Sequence, residues 1–394
     1  MAGKPVCQNG QATKPTLRGQ LGARVAAYGQ LPLPADLNWL WTVGAILCAL
    51  LALMVLSGLT LTLAYTPDAG LAFGSVEGIE RRLPAGWLLR AMHMTGASFF
   101  MLALYIHLLR GLYYRAYLPP RRAVWLSGCG LLVMVMVTAF AGYVLPWGQM
   151  SYWGADVAGR AVGALPFVGG WLEGLFLGGE APGTPTLHRM FALHFGLAFV
   201  ITGVVVGHIA HVHARGSSSP SARPANVTGV LPFHPYFTVR DMLAIVLVAG
   251  VFVGVMCLWP ELIIEPANYR PANPLHTPAD IEPEWYFLPF YAMMQAIPYK
   301  LGGLLLSGGA VAVLFAVPWL DRSACAADGT PQPVAVRLGA MVLLIGSAVA
   351  TACAGVHHMQ GNWLVVARLG MVGYYTYFVV YLPLAGRLWR RGEV

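Results

Sequence analysis

Charge is scarce in this 394-residue chain: only 10% of it is Asp, Glu, Lys or Arg, against 57% hydrophobic residues and a mean hydropathy of +0.63. Soluble domains carry about 25% charged residues, so this composition excludes an ordinary water-soluble fold. The six cysteines have no CxxC, CxxCH or other metal-binding spacing, which excludes a disulfide framework and a covalently attached haem. Cys48, Cys129, Cys257 and Cys353 fall in apolar runs, where small buried hydrophobes are expected. No short apolar core with a cleavage site opens the chain, so its first apolar run reads as a retained anchor. The first 24 residues are basic and acid-free, as an organelle presequence would be, but poor in serine. Low complexity is confined to a Ser/Pro/Arg linker, Arg215–Pro224.

What is abundant is apolar sequence of membrane-spanning length. Runs over 39–65, 88–109, 125–145, 187–212, 242–259, 301–320, 336–356 and 363–386 each approach the ~20 residues that a bilayer crossing needs. The expected fold is therefore all-α and polytopic, with eight transmembrane helices and both termini on one face. Basic residues gather on that face: Lys4, Lys14, Arg18 and Arg24 before the first run, Arg110, Arg115, Arg121 and Arg122 after the second. Arg215, Arg223 and Arg240 follow the fourth, Arg322 and Arg337 the sixth, and Arg387, Arg390 and Arg391 end the chain. The positive-inside rule makes this the cytoplasmic face. Most acids, including Glu80, Glu265, Asp280, Glu282 and Glu284, lie in the other loops. The formal charge of +8 is thus topology and not a nucleic-acid footprint. The division reads as an inner-face segment 1–38, a four-helix bundle 39–214, an inner-face linker 215–241, a C-terminal four-helix domain 242–386 and a tail 387–394. A proline-dense outer loop, 260–300, keeps an aromatic core, Trp285-Tyr286-Phe287. Loops of such length are seldom idle.

Within the first four spans one interval recurs. His93/His107, His194/His208, Gly44/Gly58 and Gly128/Gly142 are each fourteen residues apart. On a helix that interval advances about 21 Å and returns within about 40° of the starting direction, so each pair marks one face at two depths. The second and fourth spans run the same way. His93 therefore shares an outer depth with His194, and His107 an inner depth with His208, each pair beside glycines of its own depth: Gly58 and Gly142 outside, Gly44 and Gly128 inside. A lone intramembrane histidine can be a helix-to-helix hydrogen bonder, and one glycine pair can be ordinary close packing. Four depth-matched histidines instead suit axial ligation of two haem irons, with glycine giving clearance to a flat macrocycle. Arg90, Arg189 and Arg110 flank the ligand positions and suit haem propionates. His211 and His213 lie at the membrane edge. His188, His276 and the His357/His358 pair read as interfacial polar residues, and His234 has no depth partner. A proton-coupled transporter would also use intramembrane histidines, but would not need the matched glycines and would be colourless.

Several motifs in order make the chain resemble cytochrome b of the respiratory and photosynthetic bc1 complex over residues 28–386. They are Pro283-Glu284-Trp285-Tyr286, the Gly142–Ser151 segment GYVLPWGQMS, Phe191–Phe195 (FALHF), Pro232–Tyr236 (PFHPY), Ala272–Leu275 (ANPL) and Lys300–Gly303 (KLGG). The resemblance implies two non-covalent haem b groups, an outer low-potential one on His93 and His194 and an inner high-potential one on His107 and His208. It implies quinol oxidation at the outer face, one electron leaving to a Rieske iron–sulfur protein and one crossing the haems to reduce quinone inside, coupled to proton translocation. Glu284 would take the quinol proton, in a loop apolar enough to raise its pKa. Tyr143 and Tyr286 would line that pocket, and Tyr291 and Lys300 would lie near the iron–sulfur partner. His213, Asp241 and Ser217 carry over to the inner quinone site. Cytochrome c1 and a homodimer of the whole complex are further implied, in a bacterial plasma membrane in preference to a mitochondrial one. An undivided chain with both intervals at fourteen differs from the split chloroplast-type relative. Met54, Ala64, Ala45 and Gln295 depart from common family residues, as does alanine at 214 in the inner-site segment.

Overall fold

The computed structural model describes residues 26–221, 229–263, 265–322 and 333–385. The basic residues expected at Lys4, Lys14, Arg18, Arg24, Arg223 and 387–391 lie outside the described residues, as does the tail 387–394. Twelve helices carry the fold among those described. They are α1 (Val43–Thr62), α2 (Ala72–Arg82), α3 (Gly86–Tyr113), α4 (Arg122–Val144), α5 (Gln149–Gly163), α6 (Gly169–Leu177), α7 (Thr184–Arg215), α8 (Thr238–Leu258), α9 (Leu288–Gln295), α10 (Lys300–Leu320), α11 (Val334–Val356) and α12 (Trp363–Tyr375). Eight are long and apolar enough to cross a membrane: α1 with its lead-in from Trp39, α3, α4, α7, α8 with its lead-in from Phe233, α10, α11, and α12 continued to Ala385. This is an integral membrane protein. Among the described residues one small sheet pairs β1 (Pro32–Pro34) antiparallel with β2 (Val230–Pro232), pinning the segment before α1 to the segment before α8.

The spans are apolar on every side, so hydropathy alone does not set which face turns inward; shape does. In the N-terminal half α1 packs on α3 and α4 on α7. A shared core of Val43, Ile46 and Leu50 from α1, Phe100 and Met101 from α3, Leu131 and Val135 from α4, and Ile201 from α7 joins them into one four-helix bundle. Ala244 of α8 and Tyr286 of the outer loop close the same core. In the C-terminal half, α11 and α12 approach closely because Gly370 and Gly373 lie against Ser347 and Thr351. A β-carbon at either glycine would collide with those groups. A second core, including Trp125 and Cys129 of α4, Leu314 and Val317 of α10, and Tyr377 and Phe378, fastens this half to the bundle. The indole of Trp125 adds a hydrogen bond to the Leu314 carbonyl.

Of the four cysteines placed in spans, only Cys129 is buried; Cys48, Cys257 and Cys353 are exposed at the helix surface. The expectation of burial fails there because a thiol is apolar enough to face lipid as readily as protein. The outer helices α2, α5, α6 and α9 are too short to span and were not foreseen.

Candidate functional site

Two histidine pairs form inside the bundle. The rings of His93 and His194 have centroids 6.0 Å apart, and those of His107 and His208 6.5 Å apart. With a metal–nitrogen bond of about 2 Å and a ring radius near 1.1 Å, two imidazoles on opposite sides of one metal have centroids about 6.3 Å apart. Both pairs match that spacing. Hydrogen bonds orient three of the four rings. The Ser57 hydroxyl donates to the Leu53 carbonyl (2.7 Å), so its lone pair is free to accept from His93 Nδ1–H at 2.9 Å. Ser127 repeats the arrangement with the Val124 carbonyl (2.9 Å) and His208 Nδ1 (2.8 Å). His194 Nδ1–H donates to the Thr138 carbonyl at 2.7 Å. Committing Nδ1–H in this way leaves Nε2 as the free electron pair, the arrangement that fixes a metal-binding tautomer. His107 Nδ1 is buried with no protein partner.

Each glycine serves the histidine of its own depth, with a refinement of the expected reason. A β-carbon on Gly142 would lie 2.5 Å from His194 Cε1, on Gly58 3.0 Å from His93 Cε1, on Gly128 3.4 Å from His208 Cε1 and on Gly44 3.9 Å from His107 Cε1. The space they leave is used by the imidazole edge, not only by whatever lies between the rings. Beside the inner pair, Arg110 stacks over Trp41 at 5.0 Å, and its buried Nε has no protein partner. A buried guanidinium N–H left without a partner fits an anionic group such as a haem propionate. Arg90 is buried, ion-paired to Glu80 at 2.7 Å and stacked over Tyr269. It still lines the outer cavity. The expected role of Arg189 is not supported: its side chain is exposed and lies against Gly178, away from the histidine cavity. Its place five residues before His194 turns it from the ring's face of α7.

That outer cavity, about 250 Å³, brings the outer histidines and the outer-loop residues into one space: His93, His194, Gly58, Gly142, Tyr143, Glu284 and Tyr286 all line it. The outer loop is locked by its own motifs. Gln149 accepts from Asn273 N–H (2.7 Å) and donates to the His276 carbonyl (3.0 Å), while Asn268 Oδ1 accepts from Ser151 N–H (2.9 Å). At Gly148 a β-carbon would meet Asn268 at 2.6 Å, so this crossing of chains admits glycine alone. The segment after Pro283 docks on α3, the helix that carries His93 and His107. Tyr105 donates to the Tyr286 carbonyl (2.7 Å), and the Trp285 indole to Ser98 (3.2 Å). Burial pushes the Glu284 carboxyl up to about 7, with the Glu265 carboxylate adding to the rise. Burial and the charge on Glu284 together raise the Tyr286 phenol. Tyr291 donates to the Ile281 carbonyl at 3.1 Å, and Lys300 begins α10.

At the inner face the structure supplies a residue that sequence reading missed. The Tyr28 hydroxyl lies 2.9 Å from His213 Nε2, and the phenol is raised by burial, by Cys48 and by the Asp241 carboxylate. Tyr28 therefore touches His213 and lies within the electrostatic reach of Asp241. Ser217 lies beyond them, its carbonyl accepting from Arg121 at 2.9 Å, in a linker further tied by Ser219 and Ser221 to Asp36.

Residues 28–216 match the family model described as Cytochrome b/b6/petB, and residues 271–375 the one described as Cytochrome b(C-terminal)/b6/petD. The chain is 41% identical over 355 residues to a cytochrome b of Rickettsia prowazekii, covering 90% of this chain and 88% of the relative. It is 40% identical over 369 residues to a protein named cytochrome b/c1 from Bradyrhizobium diazoefficiens, covering 93% of this chain but 53% of that longer protein. A solved structure titled "Hyperthermophilic respiratory Complex III" superposes with a TM-score of 0.85 at 29% identity, covering 95% of this chain and 97% of that one. By both family models, by relatives at about 40% identity and by the superposition, the chain belongs to the cytochrome b family of the bc1 complex.

Proposed function

We propose that this chain, as the cytochrome b subunit of a quinol:cytochrome c oxidoreductase, oxidises quinol at its outer face and reduces quinone at its inner face. The observation that carries this reading is the shared outer cavity, where a proton-accepting carboxylate and the outer histidine pair line the same space. His93 with His194 and His107 with His208 would hold two haem b groups, and Arg110 would meet an inner propionate. When bound, these groups supply one-electron chemistry and a path for charge across the low-dielectric layer.

The chain's own side chains handle position and protons. Tyr143 and Tyr286 form the walls against which a quinol ring packs, and the hydrogen bonds from Tyr105 and Trp285 hold that wall to α3. A carboxyl near 7 is half ionised at neutral pH, so a Glu284 oxygen can take a quinol hydroxyl proton and later release it to the outer water. Removing water from the cavity makes each of these polar contacts stronger. At the inner face His213, Asp241 and Ser217, with Tyr28 bonded to His213, would supply protons to quinone. Uptake inside and release outside separate charge across the membrane.

Turnover needs a Rieske iron–sulfur protein and cytochrome c1 as further acceptors, so it belongs to an assembly, proposed here as a homodimer of the complex in a bacterial plasma membrane with both termini cytoplasmic. The test is Glu284→Gln in the assembled complex. Haem spectra are expected to stay intact while quinol oxidation falls by about two to four orders of magnitude, on the scale of a lost general base. Unchanged turnover across pH contradicts the role.

A further inference from the structure

The His357/His358 pair, outside every role so far, sits in the turn between α11 and α12. That turn is rigid. His358 and Met359 are both left-handed (φ 50° and 52°), their N–H groups bond the Gly355 and Ala354 carbonyls at 3.0 Å, and the His357 ring stacks on Trp363 at 4.1 Å. The Arg368 guanidinium, one turn on, donates to the Ala296 carbonyl at the end of α9. From this platform His358 Nε2 reaches two carboxylates of the outer loop, Glu282 Oε1 at 3.0 Å and Asp280 Oδ1 at 3.2 Å. From the opposite side Tyr291 of α9 donates to the carbonyl of Ile281, the residue between them. The tripeptide Asp280-Ile281-Glu282 is therefore held from two elements, and Pro283, with its fixed φ, carries that placement directly to Glu284.

We infer that His358 is a positioning residue for quinol oxidation, clamping Asp280 and Glu282 so that the Glu284 carboxylate is held at the outer cavity. The inference rests on the proton-acceptor reading of Glu284. His358 Nε2 lies within hydrogen-bond reach of both carboxylates, so a single N–H bridges them. The charged and titratable groups around it are Asp280, Glu282 and Glu265 from the loop, Tyr291 from α9 and His357 from its own turn. Burial raises the Glu282 carboxyl and His358 opposes that rise. An exposed ion pair contributes little to stability, and Asp280 is 62% exposed. The Asp280 arm therefore acts on loop geometry more than on folding.

The experiment measures quinol oxidation against pH in the whole complex for His358→Gln, Asp280→Asn/Glu282→Gln, and the triple variant, with Glu284→Gln as reference. His358→Gln is expected to lower kcat three- to tenfold, with unchanged haem content and little change in KM. In the Asp280→Asn/Glu282→Gln background the same change is expected to have no further effect, since residues that act as one unit are not additive. A silent His358→Gln alongside a slow Glu284→Gln overturns the clamp and leaves the acceptor reading standing, and so does additivity in the triple variant. A silent Glu284→Gln removes the acceptor reading and the clamp with it. Should His358→Gln fail to assemble, Glu282→Gln alone removes one arm, and an unaltered kcat there overturns the clamp.

Discussion

Gly142→Ala offers a sharp probe of the paired-ring geometry, because the same helix that clears the ring also holds it. The new methyl would stand 2.5 Å from Cε1 and 2.7 Å from Nδ1 of His194. The ring cannot retreat freely, since Nδ1 is bonded at 2.7 Å to the carbonyl of Thr138, one turn earlier on α4. Reaching ordinary van der Waals contact requires a shift of roughly 1 Å, and overpacking of that kind costs about 1–3 kcal/mol. At about 1.4 kcal/mol per factor of ten, the affinity of the outer site for its haem falls about 5- to 150-fold. Gly44→Ala supplies the matched control: its methyl would stand 3.9 Å from His107 Cε1, an ordinary contact. The assay is haem content per chain together with a potentiometric titration of both variants. Gly142→Ala is expected to lose or shift the outer haem alone, and Gly44→Ala to keep both. Equal damage from the two substitutions, or an unaltered outer haem in Gly142→Ala, refutes the clearance argument.

Other perturbations follow from the same contacts. In the wild-type complex the acceptor form of Glu284 exists above its pKa of about 7 and is lost as pH falls through it, so quinol oxidation rises through neutrality. In Glu284→Gln that limb vanishes; a pH-rate profile that keeps it argues for another base. Tyr105→Phe removes the donor to the Tyr286 carbonyl at a cost of about 1–3 kcal/mol for the unsatisfied group, and is expected to raise the KM for quinol without altering haem content. Steady-state kinetics with unchanged KM would count against it. Arg110→Leu takes away the unmatched cation beside the inner pair and is expected to lower the midpoint potential of the inner haem, since a nearby positive charge favours the reduced form. A redox titration showing only the outer haem shifted would place that arginine wrongly.

Run length alone made the eight spans legible, because a bilayer crossing demands about twenty apolar residues whatever the tertiary contacts. The fourteen-residue intervals likewise carried the depth of each histidine, since helical rise and twist are fixed by backbone geometry. Orientation within the bundle was less readable. Lipid and protein interior are equally apolar, so nothing in the local sequence separated buried Cys129 from exposed Cys48, Cys257 and Cys353. Arg189 lies apart from the histidine cavity for a related reason: proximity along the chain does not set a helix face. Tyr28 and Asn268 act through chain segments far away in sequence, and no local pattern marks them. One missed signal was present. The pairs Ser57-Gly58 and Ser127-Gly128 place the hydroxyl that orients a histidine directly before the glycine that clears one of the same depth.

The most direct measurement is a reduced-minus-oxidised spectrum with haem stoichiometry on the intact chain and on His93→Leu and His107→Leu. The account predicts two spectroscopically distinct b-type haems per chain, with each substitution removing the one at its own depth and sparing the other. Fewer than two haems in the unaltered protein, or loss of the same component in both variants, contradicts it.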